Sequence, residues 1–103
     1  GYNIYPREIE DVIAEVSEIN EVAVLGAPDK EWGQRVTAFV SLKPNSSLDE
    51  KIVVEKILEH CKSKMASYKK PKDVFVVKEF PLNSTGKISK KTLKLQLERD
   101  RGA

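Results

Sequence analysis

The chain has one cysteine, one histidine, one tryptophan and one methionine in 103 residues. The lone cysteine, Cys61, excludes an internal disulfide and fits a reducing compartment, so the expected location is the cytoplasm. The lone histidine, His60, would have to serve any Ser-His-Asp or Cys-His nucleophile scheme, and no such system is visible. His60 and Cys61 are adjacent, point different ways on a helix and lack a second nearby ligand, so no metal site is expected. No apolar run approaches the roughly 20 residues that span a membrane. The opening Gly1-Tyr2-Asn3 has no initiator Met and no basic-then-apolar signal pattern, as expected for a segment of a longer protein. A net charge of only +2 gives no reason to expect a nucleic-acid partner.

What is present is ordinary in amount and ordered in pattern. Hydrophobic residues make up 40% and charged residues 33%, which fits a soluble globular domain and argues against disorder. The length allows one domain with a modest core.

Pro6 suits the first position of a helix, where its missing N–H costs nothing. Ile9, Val12, Ile13 and Val16 then fall on one helical face. Val22 to Leu25 reads as a short strand ending at Gly26, with turn chemistry at Ala27-Pro28-Asp29. Arg35 to Leu42 alternates, with Val36, Ala38, Val40 and Leu42 on one face of a strand. Pro44-Asn45-Ser46 breaks it. Ser47 to Glu50 matches a capping box for a second helix, with Val54, Ile57, Leu58, Cys61 and Met65 on its apolar face. Val74 to Val77 reads as a third strand. Ile88, Leu93 and Leu97 predict a final helix with a basic outer surface. The expected fold is α+β: a small three-stranded sheet including an antiparallel hairpin, packed with about three helices.

The most informative stretch is Pro81 to Lys91. It carries Lys87 beside Gly86, on a turn between a strand and a helix. Glycine permits the bend, and a lysine there reaches outward as a compact positive charge suited to a phosphate or carboxylate held elsewhere. A phosphate-binding P-loop fails on two positions: Pro81 stands where its first glycine belongs, and Ile88 replaces the Ser/Thr. The plain alternative is a solvated surface lysine. The basic stretch from Lys87 to Arg101 is interrupted by Glu98 and Asp100 and has no aromatic residue, so a solvated helix face fits better than a nucleic-acid surface.

Four segments together resemble adenylate-forming (AMP-binding) enzymes, which include acyl-CoA synthetases. Gly1 to Glu10 resembles their G-x-x-[IV]-x-P-x-E-[IV]-E stretch. Gly26-Ala27-Pro28-Asp29, followed by Trp32-Gly33 and the Val36–Val40 strand, resembles the next segment. Tyr68-Lys69-Lys70-Pro71 is similar to their Y-K-x-P loop, and Pro81 to Lys87 to their P-x-x-x-x-G-K signature. The order and spacing match over nearly the whole chain. Residues 1–103 thus resemble the mobile C-terminal domain of such an enzyme, most like a bacterial-type long- or medium-chain fatty-acyl-CoA ligase.

The resemblance implies a two-step ligase. A carboxylic acid attacks ATP to give an acyl-adenylate, and the thiol of coenzyme A then displaces AMP. It implies ATP, coenzyme A and Mg2+ for the parent enzyme, none of them bound by this segment alone. The partner it implies is the N-terminal domain of the same enzyme, which holds the ATP site, the acyl pocket and the hinge. The isolated segment is expected to be inactive. Lys87 matches the adenylation lysine. Gly1, Tyr2 and Asn3 match a loop beside the pantetheine channel of coenzyme A, and Lys69 stands where some relatives place a basic residue near its phosphates. Ordinary surface charge is the alternative for Lys69 and Lys70. Trp32 reads as a packing anchor and Tyr68 as a loop-packing residue. Aryl-CoA ligases, luciferases and peptide-synthetase adenylation domains share these motifs. A non-catalytic module, whose basic last helix binds an acidic partner, is the reading from a different class.

Overall fold

Proline begins the first helix. In the computed structural model, which describes residues 5–29, 33–46, 48–65 and 70–102, α1 spans Pro6–Ala14. The Tyr5 carbonyl accepts from the N–H groups of Glu8 (3.1 Å) and Ile9 (3.4 Å). Ile9 and Ile13 point inward and are buried, and Val16 joins them just past the helix end.

Strand β1 (Ile19–Asp29) and strand β2 (Gly33–Leu42) form an antiparallel hairpin in which Val24 faces Ala38 and Asp29 faces Gly33. β1 therefore runs beyond the expected Val22–Leu25 at both ends. The expected turn at Ala27-Pro28-Asp29 is corrected to strand: these residues pair with Arg35, Gln34 and Gly33. A proline can sit there because β1 is an edge strand, with one side free of ladder bonds.

Strand β3 (Asp73–Val76) lies beside β2 and parallel to it, Thr37 facing Asp73 and Val40 facing Val76. The ladder continues one bond further, from Val77 N–H to the Val40 carbonyl at 2.8 Å. Arg35 and Asp73 pair side by side at this junction, Nε to Oδ2 at 2.9 Å and Nη2 to Oδ1 at 3.1 Å. A parallel neighbour needs a long crossover, which α2 (Glu50–Lys64) supplies.

The helix α2 is capped by Asp49, whose Oδ1 accepts from Lys51 N–H at 2.9 Å. This corrects the capping-box reading, since the cap falls two residues after Ser47, which lies outside the described residues. The buried face is Val53, Ile57 and Cys61. Val54 and Met65 are half-buried and Leu58 is exposed, so the stripe is rotated from the expected one. Residues four apart stack along one helical face, and this series starts at Val53 and is centred on Ile57.

The sheet is covered on both sides. Val36, Ala38 and Val40 face α1 and α2, in a core with Ile9, Ile13, Val24, Val53, Ile57 and Cys61. On the opposite side Ala23, Leu25, Ala27 and Phe39 pack with Phe80 and with Leu93 and Leu97 of α3 (Lys90–Gly102). The described residues form an α+β fold with three helices and a mixed three-stranded sheet in the order β1-β2-β3.

Candidate active site

The Gly86-Lys87 turn is a closed hairpin organised by one side chain. Asn83 Oδ1 accepts from Thr85 N–H (3.0 Å), Thr85 Oγ1 (2.7 Å) and Lys87 N–H (3.1 Å). Asn83 N–H donates back to the Lys87 carbonyl at 2.8 Å, and Gly86 N–H to the Asn83 carbonyl at 3.0 Å. Asparagine is suited to this task because its short amide can bond to backbone two residues on. Gly86 has φ +83°, the left-handed region that other residues enter at a cost. A Cβ there would meet nothing within 4 Å, so the constraint is torsional rather than steric.

The base of the hairpin is locked to α3. Leu82 and Ile88 form an antiparallel bridge, and Ser89 N–H donates to the Pro81 carbonyl at 2.8 Å. Ile88, expected in the helix, is thus part of the hairpin stem. Ser89 then starts the helix: its Oγ accepts from Thr92 N–H at 3.2 Å, and its carbonyl from Leu93 N–H at 3.1 Å. Leu93 and Leu97 anchor that helix to the sheet. A continuous path therefore runs from the buried core to Lys87. Lys87 itself is exposed, and its ammonium has no ion pair or hydrogen bond among the described residues. A long cation on a rigid base suits delivery to an anion held by another body.

Several titratable groups away from the hairpin have structural partners or are buried. Lys56 lies 2.8 Å from Glu18, and its hydrogen bond holds that carboxyl below its ordinary range. His60 Nε2 lies 2.8 Å from Glu15 Oε1, tying α2 to the turn after α1. Burial pushes the Cys61 thiol up to about 11, which keeps it protonated and unreactive. Shallow clefts beside α2 are lined by Glu15, Lys56 and His60, and by Leu58, Lys70 and Pro71; neither includes a hairpin residue. Among the described residues no group of His, Cys, Asp or Glu could hold a metal ion. Also among them, no helix is long and apolar enough to cross a membrane.

Of the residues expected at a site, Lys87 is on the hairpin, whereas Gly1, Tyr2, Asn3 and Lys69 lie outside the described residues, as do Trp32 and Tyr68. Asn83 and Ser89 were not singled out from sequence. The signal for Asn83 was its place two residues before Thr85, an Asx-turn spacing.

The model of the AMP-binding enzyme C-terminal domain matches residues 8–87, ending on the hairpin lysine. The chain belongs to this family. It is 43% identical over 96 residues to the long-chain-fatty-acid–CoA ligase FadD13 of Mycobacterium tuberculosis, covering 93% of this chain and 18% of the relative. It is 40% identical over 94 residues to the 2-succinylbenzoate–CoA ligase of Listeria monocytogenes, covering 91% of this chain and 19% of that protein. Among solved structures, the Mycobacterium tuberculosis fatty acyl CoA synthetase superposes with a TM-score of 0.83 at 41% identity, over 97% of this chain and 19% of that one. The chain thus spans under a fifth of the length of the relatives it matches. AMP-binding C-terminal domains of CoA ligases share both its sequence and its fold.

Proposed function

We propose that this domain is the C-terminal part of an acyl-CoA synthetase, and that Lys87 is the group it brings to the adenylating centre. The observation that carries the reading is an exposed lysine on a hairpin rooted in the core, at the last residue of the family match. In the first step a carboxylate oxygen attacks the α-phosphorus of ATP. The bond to the β-phosphate breaks and pyrophosphate leaves. Two anions must meet, and a cation between them offsets their repulsion and stabilises the charge that develops. In the second step the sulfur of coenzyme A attacks the acyl carbonyl and AMP leaves. Lys87 serves the first step. Gly1, Tyr2 and Asn3 serve the second, beside the pantetheine channel, with Lys69 near the phosphates of coenzyme A. The N-terminal domain of the parent holds ATP, the acid and Mg2+, so this segment alone does not catalyse the reaction. The fatty acids named for FadD13 and the synthetase of known structure make an aliphatic acid the preferred substrate. The succinylbenzoate relative makes an aryl acid the second choice.

The test is acid-dependent ATP–pyrophosphate exchange by the full-length parent across aliphatic and aryl acids. Long or medium aliphatic acids are expected to support it best, and Lys87→Ala to lower it by about 10²–10³-fold, the scale for one lost transition-state contact. Undiminished exchange in Lys87→Ala would remove the assignment.

A further inference from the structure

Glu10 stands where the two layers of helices meet. It lies on α1, on the first side of the sheet, and its Oε2 accepts from Val24 N–H at 2.8 Å. Val24 is in β1, whose one sheet neighbour among the described residues is β2, so this N–H lies on the edge of the sheet away from β2. The same oxygen lies 2.8 Å from Lys90 Nζ, at the first turn of α3 on the opposite side. The Glu10 side chain is only 17% exposed, Lys90 43%. One carboxylate therefore covers an edge donor and reaches a cation three residues from Lys87. The stem bonds from Ser89 to Pro81 and from Asn83 to Lys87 make Lys90 and the hairpin one unit.

We infer that Glu10 and Lys90 are positioning residues for Lys87: a strap round the β1 edge that fixes the orientation of the hairpin. This rests on the reading of Lys87 as the adenylating lysine. The pair touches no reacting atom. Its effect is to narrow the directions in which the hairpin presents its ammonium, and misplacement by about 1 Å can slow a reaction greatly. The partly buried carboxylate makes the pair stronger than a free surface bridge, because the Val24 N–H already holds that oxygen in place.

The test uses the full-length parent. Glu10→Gln keeps an acceptor for Val24 but removes the charge, Lys90→Met keeps the stem but removes the ammonium, and Lys90→Arg keeps the pair. Glu10→Gln and Lys90→Met are each expected to lower kcat for acyl-adenylate formation by about threefold to tenfold, with KM for the acid little changed. Both should speed hydrogen exchange at the Gly86 and Lys87 amides. Lys90→Arg should match wild type, and the double variant should be no slower than the worse single. Fully additive losses, or unchanged hairpin exchange, overturn the strap. Lys87→Ala runs alongside. If adenylation survives it, the role of Lys87 falls, while the hairpin exchange rates still decide whether the strap exists.

Discussion

The two sides of the sheet are built for different ends. On one, α1 and α2 close over Ile9, Ile13, Val53, Ile57 and Cys61, each essentially inaccessible to solvent. On the other, Phe80 and the single helix α3 pack against Ala23, Leu25 and Phe39, while Phe75, Leu82 and Leu95 stay exposed. Phe75 stacks against the tilted ring of Phe39, with centroids 5.4 Å apart. The closed side holds the fold together. The open side carries the hairpin and its lysine. On the proposed reading of Lys87, this is the side that meets the N-terminal domain of the parent, and the hairpin is the rigid base behind the lysine.

Truncations in the two cores should separate these roles. Ile57→Ala, on the closed side, is expected to destabilise the domain by about 3–4 kcal/mol, because a fully enclosed site cannot collapse around the lost atoms. Leu93→Ala, on the open side, should cost less, about 2–3 kcal/mol, and should loosen the hairpin first. Urea unfolding with hydrogen exchange measures both. If Leu93→Ala costs more than Ile57→Ala, the division of labour is wrong.

Within the hairpin the effects are smaller. Asn83→Ala removes the acceptor of three bonds, and Gly86→Ala forces a side chain into φ +83°. Each is expected to cost about 1–2 kcal/mol locally, while the melting of the closed core stays nearly unchanged. Exchange at the Lys87 amide reads the local loss, and a matching loss throughout the α1/α2 core would merge the two regions into one.

Sequence periodicity went furthest on the closed side. The 3.6-residue repeat located α1 and α2, and alternation located β2. It missed the exact face of α2, because Leu58 and Val54 are as apolar as Val53 and only the packing of three elements together chooses between them. It shortened β1, because Ala-Pro-Asp is turn chemistry locally and the ten-residue partner strand overrides it. That β3 lies parallel to β2 was not legible, since four residues carry no record of their neighbour. On the open side, Lys87 stood out through Gly86 and the family signature. Asn83 did not, since its role is three bonds within a loop. Nor did the pairing of Glu10 with Lys90, which stand far apart in the chain and which only the fold brings together.

The smallest effect expected is chemical silence. Cys61 has no access to solvent, and its thiol is pushed up to about 11. A group whose folded pKa is raised adds stability that is full below its ordinary range near 9 and is lost as pH rises through that range towards 11. At pH 8 a thiol reagent should therefore label Cys61 only at the rate of global unfolding, and rapid labelling of the native protein would show that the closed side opens.

The most direct measurement takes the two half-reactions apart in the full-length parent. Acyl-adenylate formation and thioester formation from pre-made acyl-adenylate are followed in single turnovers, for wild type and Lys87→Ala. The account predicts a loss of about 10²–10³-fold in the first and less than about threefold in the second. Equal losses in both would contradict it.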